Sequence, residues 1–470
     1  MLVSVFVKAE SPLIVLGAFL AAAAFVAVTI LGGRADAFFE KRYILCVAVI
    51  IAFEAAFQCV NIENLRYTPL YDLGAVFEGA KELTETGDFA TYHWYFGYYF
   101  NNYGVLRVLY HVFRIGRLFT ADYFLIAAIF NELTIILTFL FASLITRRLF
   151  GARFGVLALL FFVSMPPFVF MTDVFYTDSL SMLYPLVMVY VALMNQDRNK
   201  VWQWILCFLF AIAAFIGGTI KANVYIVPVA VCITELVYKN FKKFFQYLLC
   251  ILVVCIGLNT LSTVNLYRNY ISREDLARTK TPAIHWIMMG LEGNGRFRSE
   301  DEEFTRSFED PKERNREIIQ RIGERIRKKR FFGMISLFAD KSYIDYGDGT
   351  LGLSDFLDDL PVNESRLHRY LLYEGEHYGR YYKFCCAVFY AILLLGGVCV
   401  GSEFACVIKN KDSRVFMPAL AVFGDYAFLM MWEATNRYCA NFVPLIIVLA
   451  TGGVYYCELY WKRVRTRNQV

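Results

Sequence analysis

Residues 12–31 form one apolar stretch, and a helix of that length crosses the roughly 30 Å hydrocarbon core of a bilayer. Similar stretches recur along the chain, giving expected spans at about 13–33, 43–60, 122–145, 154–171, 179–194, 202–218, 223–238, 245–264, 383–403, 415–432 and 438–457. A lipid-embedded backbone must satisfy its own hydrogen bonds, so such segments are helices. The expectation is an all-α polytopic membrane protein of about eleven spans. Composition agrees: 58% of residues are hydrophobic and 17% aromatic, with a mean hydropathy of +0.46, too apolar for a water-soluble chain of this length. The first apolar run has no convincing cleavage site and reads as a retained span.

Lys and Arg near helix ends stay on the cytoplasmic side. Alternate loops carry Arg34, Lys41 and Arg42; Arg147, Arg148 and Arg153; Arg198 and Lys200; Lys239, Lys242 and Lys243; Lys409, Lys411 and Arg414; and Lys462, Arg463, Arg465 and Arg467. The opposite short loops carry little beyond Lys221 and Arg437. This asymmetry places the chain in the cell membrane with its N-terminus outside and its C-terminus cytoplasmic. It leaves two long segments, 61–121 and 265–382, on the outer face. The expected organisation is a membrane module over 1–264, an extracytoplasmic segment over 265–382 and closing helices over 383–470. Basic residues beside apolar runs, without a soluble basic patch, give no sign of a nucleic-acid partner.

The stretch 104–119 is apolar enough to pass for another span. A crossing there would invert every later loop and turn the basic clusters outward. Arg107, His111 and Arg114 share one helical face while Leu106, Leu109 and Phe113 line another, the pattern of a helix lying along the interface. In the second long segment a soluble helix is expected from Asp310 as N-cap and Pro311 at the first helical position toward Lys329. Its apolar stripe is Ile318, Ile322 and Ile326, and Glu317 with Arg321 and Glu324 with Lys328 make supporting pairs four residues apart. The sequence from Asp345 to Thr350 reads as a loop and lacks the ligand spacing of a calcium site. The twelve cysteines lie almost wholly in apolar runs and suggest neither a disulfide framework nor a metal cluster.

Asp72, a dozen residues beyond the second span, is the leading candidate for chemistry: a carboxylate near the outer surface can take a proton from an acceptor hydroxyl. It could equally cap the helix that follows. Asp173 and Asp178 emerge on the same face, to assist a base, bind sugar hydroxyls or a metal, or cap a helix. Lys221, in a tight turn between spans, either meets a lipid phosphate or snorkels to the headgroups. Arg437 poses the same choice, with Glu433 spaced to be its structural partner. Glu54, Glu132 and Asp425 lie within spans, where carboxyl groups normally face a cavity or a partner, and they keep transport open. No matched pair of interrupted helices in two halves supports an alternating-access core.

Several short motifs, in order, resemble the GT-C superfamily of membrane glycosyltransferases, specifically bacterial proteins related to protein O-mannosyltransferases and lipid A aminoarabinose transferases. These are Asp72 in the first external loop, Asn101 and Asn102 leading into the amphipathic helix, the stretch from Arg148 to Gly151, Tyr176 with Asp178, Ile220 with Lys221, the stretch from Thr281 through His285 to Gly290, and the stretch from Trp432 through Glu433 and Arg437 to Tyr438. Phe100 and Ala222 stand where such proteins often carry proline. The resemblance implies a GT-C-like bundle whose external first loop bears juxtamembrane helices, and an inverting sugar transfer from a polyprenyl-phosphate donor to an envelope glycan, lipid or protein. Asp72 would be the base, Asp173 or Asp178 would support acceptor or sugar, and Lys221 with Arg437 or Arg107 would neutralise the departing phosphate. His93, Asn101, Asn102, Glu433 and His285 would contact substrate. No cofactor is required by this reading and a divalent cation is compatible with it. The alternatives are a transporter or flippase, and an envelope-polysaccharide polymerase or ligase.

Overall fold

A computed structural model describes residues 1–197, 199–358, 360–408, 413 and 415–467. Arg198, Lys409, Lys411 and Arg414 of the basic loops lie outside the described residues. The first half is built from α1 (Leu2–Val7), α2 (Pro12–Gly32), α3 (Asp36–Asn61), α4 (Tyr71–Thr86), α5 (His93–Tyr98), α6 (Tyr103–Gly116), α7 (Tyr123–Phe150), α8 (Ala152–Ser164), α9 (Pro166–Phe170), α10 (Thr177–Ser181) and α11 (Leu183–Met194). Then come α12 (Lys200–Ile220), α13 (Ile226–Val237), α14 (Phe241–Asn269), α15 (Arg273–Thr279), α16 (Ala283–Gly290), α17 (Ser299–Arg306), α18 (Pro311–Tyr346), α19 (Leu353–Leu357), α20 (His368–Leu371), α21 (Tyr378–Ile408), α22 (Phe416–Met431) and α23 (Val443–Arg467). Among the described residues the one β-pairing is an isolated antiparallel bridge between Tyr67 and Pro361.

Every expected span coincides with helix, but the eleven are unequal. Among the described residues eight helices are long and apolar enough to cross a membrane, or nine if α8 and the bent stretch Pro166–Asp173 count as one. The bend is 75° and falls where Pro166 and Pro167 open α9, since proline lacks the N–H that would continue the ladder. The other two expected spans, Ala222–Val237 and Phe416–Met431, are shorter apolar helices. Sixteen residues at 1.5 Å each rise only about 24 Å, short of the hydrocarbon thickness.

Local chemistry starts these helices where the sequence allows. The side chains of Ser11, Asp122 and Asn199 cap α2, α7 and α12 by accepting from Leu13, Leu125 and Trp202 N–H groups. α23 sits centrally, packed on α21, α7, α8 and α2. Small residues permit this: a Cβ on Gly453 would lie 1.9 Å from the Leu395 carbonyl oxygen. α2, α3 and α14 bury little of their apolar surface and form the periphery.

The 104–119 stretch is α6, fourteen residues, absent from the candidate spans and packed along α4, α7 and α12. Leu106, Leu109 and Phe113 are fully buried, while His111 and Arg114 are exposed. Asp310 caps α18 as expected, accepting from Lys312 N–H, but the helix does not stop near Lys329. It breaks at Arg330, with φ of 53°, and resumes to Tyr346. The two long non-spanning segments are stitched together: Thr68 N–H donates to Leu360 and Val362 N–H to Arg66, both at 2.9 Å, and Thr281 N–H donates to Tyr98 at 3.0 Å.

Candidate active site

Asp72 is the second residue of α4, and Leu70, not Asp72, is the N-cap, with no side-chain capping bond. The half-buried carboxylate instead accepts the Tyr95 hydroxyl at 2.7 Å. Tyr95 in turn accepts from the Asn102 amide at 2.6 Å, and Asn101 donates to the Asn102 carbonyl oxygen at 3.1 Å. Tyr71, immediately before the carboxylate, is held at φ of 50°, a left-handed conformation that costs a non-glycine residue about 1–3 kcal/mol. The turn is tight, for a Cβ on Gly74 would meet the Pro69 carbonyl oxygen at 2.6 Å.

Asp178 lies at the start of α10, only 4% exposed, and caps nothing. Lys221 grips its Oδ1 and Arg437 its Oδ2, the latter at 2.7 Å. Lys221 follows α12 as the residue beyond its last turn and also donates to the Tyr438 carbonyl at 3.1 Å. Arg437 lies over the adjoining rings of Tyr176 and Phe356, 5.3 and 5.2 Å from their centroids. Three distant parts of the chain thus place two cations on one carboxylate, leaving the trio with one net positive charge. Burial works against the Arg437 charge, but Asp178 outweighs it and holds the guanidinium pKa above its usual value.

The pairing of Glu433 with Arg437 does not form, because residues 433–437 are not helical. Glu433 is buried and accepts the Tyr438 hydroxyl at 3.3 Å. Burial lifts its pKa to about 7, a rise opposed by Tyr438 and Arg437 and reinforced by the Asp72 charge. Asp72 is also among the charges that raise the Tyr176 and Tyr95 hydroxyls, behind the larger effect of burial. The Asp72 triad and the Asp178 clamp therefore feel one another, with Tyr176 between them.

A layer beneath, unmarked in the sequence, supports the 432–437 loop. Lys341 is fully buried and donates to the carbonyls of Met430, at 2.9 Å, and Trp432, at the end of α22. Burial lowers its pKa to about 8 and raises that of Asp345. Asp345 accepts from Thr435 N–H at 3.1 Å, and Asp348 from the Asn436 amide at 2.8 Å. The expected loop over 345–350 begins as helix, since Asp345 and Tyr346 close α18, and this helix end with the turn that follows is a buried cradle for the Arg437 loop.

Other expected site residues lie elsewhere. Arg107 reaches the Ser262 hydroxyl on α14. His93 pairs with Asp88 at 2.8 Å. His285 is buried against the Thr305 hydroxyl at 2.6 Å, and burial lowers its pKa to about 4. Asp173 is buried near Arg66 and Glu132, and among the described residues neither of its carboxyl oxygens has a hydrogen-bond partner. Among the described residues no group of three or more His, Cys, Asp and Glu is arranged to hold a metal ion. Tyr95 and Lys341 carried no sequence signal, since Tyr95 stands among 31 tyrosines and Lys341 pairs with residues remote along the chain; Tyr176 was marked only as the neighbour of Asp178 in a short motif.

The sequence profile of one family, conserved hypothetical integral membrane protein, matches residues 7–456. No curated protein matches the sequence. Two crystal structures of ArnT from Cupriavidus metallidurans, one bound to undecaprenyl phosphate and one in the apo state, are similar over 87% of this chain and 77% of theirs. Identities are 12% and 13% and TM-scores 0.36 and 0.35. A likeness at those values establishes neither a fold nor an activity for this chain.

Proposed function

For a chain that belongs to the conserved hypothetical integral membrane protein family, we propose a membrane glycosyltransferase that moves a sugar from a polyprenyl-phosphate donor to an envelope glycan, lipid or protein. The observation that carries this is the Lys221–Asp178–Arg437 clamp standing beside the Asp72–Tyr95–Asn102 chain at one end of the bundle. A base and an excess cation side by side suit a displacement that begins with a proton and ends with an anion. The Tyr95 hydroxyl fixes Asp72 through one oxygen. Asp72 takes the proton of an acceptor hydroxyl as that oxygen bonds to the sugar's anomeric carbon. The bond from that carbon to the phosphate oxygen breaks, its electron pair stays on the phosphate, and the anomeric configuration inverts. Charge grows on the phosphate in the transition state, so fixed ammonium and guanidinium groups there lower the barrier more than they tighten binding. The outer face is the expected side for this chemistry, from the distribution of basic loops.

The test is transfer of radiolabelled sugar from a polyprenyl-phosphate donor by membranes carrying the protein. Asp72→Asn is expected to lose about 100- to 10,000-fold in rate, the range for removing a general base. Full transfer by that variant would remove Asp72 from the role.

A second reading, coupled transport, is favoured by one feature. Glu54 accepts from the Gln58 amide at 2.7 Å, Glu132 accepts from Cys59, and among the described residues one Glu54 oxygen and both Asp173 oxygens are buried without partners. Carboxyl groups so placed mark ion or proton paths in many membrane proteins. Ion-coupled uptake by reconstituted protein lacking transferase activity would favour it.

A further inference from the structure

We infer that a cavity between the two extracytoplasmic segments binds an anionic sugar, one carrying a carboxylate or a phosphate. The cavity holds about 340 Å³, the size of a small-ligand pocket, and is lined by Tyr98, Arg278, Thr281, Arg306, Phe308 and Arg314.

Arg314 makes the case. It is 5% exposed, and among the described residues no carboxylate lies within salt-bridge reach of it. Its two terminal nitrogens donate to the carbonyls of Arg278 and Ala277, at 2.6 and 3.1 Å, and among the described residues its Nε has no partner. Those bonds cap the end of α15 and explain the position of the side chain. They do not neutralise the charge, and Asp310, the exposed N-cap of α18, offsets the cost of burying the guanidinium only in part and makes no ion pair with it among the described residues. It also stands in the first turn of α18, where the helix dipole is already positive. Neither acidic residue at the cavity is spoken for by it: Asp275 accepts from the Ser272 hydroxyl in its own turn, and Glu309 is exposed. An anion in the cavity supplies the missing countercharge.

The remaining walls suit a sugar. Tyr98 and Phe308 offer aromatic faces, and the threonine hydroxyls of 279, 281 and 305 offer hydrogen bonds. Arg306 lies over the Tyr98 ring, 4.4 Å from its centroid, and donates to the Tyr99 hydroxyl at 3.0 Å. The Tyr99 ring packs 5.1 Å from that of Tyr95, the partner of Asp72. One aromatic layer separates the cavity from the proposed base, so the bound sugar would be part of the acceptor. That role rests on the transferase reading; the binding does not.

The experiment uses full-length protein in lipid nanodiscs and titration calorimetry without donor. The probes are trigalacturonate against galactotriose, mannose 6-phosphate against mannose, and inorganic phosphate alone. At least one anionic sugar is expected to bind tenfold or more tightly than its neutral counterpart and more tightly than phosphate, weakening as salt rises. Arg314→Met should abolish that preference and Arg314→Lys retain it. If Arg314→Met fails to fold, Arg278→Ala, on an exposed side chain, should weaken anionic-sugar binding several-fold. Equal binding of charged and neutral probes, no binding, phosphate binding as tightly as mannose 6-phosphate, or an unchanged preference in folded variants would each overturn the inference. Asp72→Asn should bind the anionic sugar as the parent does. Selective binding by a protein that transfers nothing would therefore sink the transferase reading alone, and transfer without such binding would sink this one alone.

Discussion

Charge arithmetic within the clamp separates what Lys221 does from what Asp178 does. Removing Lys221 leaves Asp178 and Arg437 as a balanced pair; removing the Asp178 charge strands two half-buried cations against an amide. Asp178→Asn is therefore expected to destabilise the protein by about 3 kcal/mol, the scale for breaking a buried ion pair, seen as a lower unfolding temperature in detergent. Lys221→Met should barely move that temperature yet slow sugar transfer by about 100-fold, because one of two fixed cations is lost where the phosphate departs. Intact transfer by Lys221→Met would make the lysine structural. Glu433 gives a pH signature. Its folded pKa of about 7 lies above the ordinary glutamate value, so the folded protein holds its proton more tightly than the unfolded chain does. That stability is fully present below the unfolded pKa and is lost as pH rises through about 7. The unfolding temperature should fall between pH 5 and 8, less steeply in Glu433→Gln, in which Arg437, Asp72, Lys341 and Tyr438 still face the position. Parallel pH profiles for the two proteins would reject the assignment.

At the scale of elements, α6 matters because it lies against the end of α12, from which Lys221 projects. Gly104 is the contact: a Cβ there would fall 1.9 Å from the Thr219 carbonyl oxygen, two residues before Lys221. Backbone cannot yield as a side-chain tip can, so Gly104→Ala should push α6 off α12, lower the unfolding temperature and slow transfer by about tenfold or more through loss of positioning. Gly257→Ala, on a helix where nothing lies within 4 Å of the new methyl, is the control and should be neutral or slightly stabilising. If both variants behave alike, the close approach is unimportant. That α6 stands apart from the spans was legible in sequence, because two arginines and a histidine on one face and three apolar residues on another do not suit a crossing of hydrocarbon. The start of α18 was legible too, from an Asp-Pro cap. Its continuation past Lys329 was not: a break at Arg330 carries no glycine or proline to announce it, and Lys341 and Asp345 beyond it find their partners about ninety residues away. Asp72, Asp178, Lys221 and Arg437 stood out as charges near spans. Tyr95 did not, and Tyr176 was marked only beside Asp178, since the positions of both rings follow from tertiary packing.

For the whole molecule, contacts constrain the crossings more tightly than helix length does. Tyr67 pairs with Pro361 and Tyr98 accepts from Thr281, so the segments before α7 and after α14 lie on one side. The number of crossings between them is therefore even. Six apolar units stand there: α7, the bent α8–α9 pair, α10 with α11, α12, α13 and α14. Counting α13 out for its shortness would leave five and place the two segments on opposite sides of the membrane. The same logic joins Lys341 before α21 to Trp432 after α22, so these two helices cross together or not at all. It joins Lys8 before α2 to Asp340, which requires α2 and α3 to cross as a pair. With α23 last, eleven crossings satisfy every contact, as do nine with α13 and the bent α8–α9 pair both left out; in the eleven-crossing case the short helices bridge the membrane where it is thinned or where neighbours cover their ends. The expected outcome is that epitope tags inserted after Gly87 and Gly293 are both reached by antibody on intact cells, while a tag after Arg467 is reached only on permeabilised ones. Tags at 87 and 293 on opposite sides would mean that α6 crosses or that one of the six units does not, and either would separate Asp72 from the Lys221–Asp178–Arg437 clamp and with it dissolve the site.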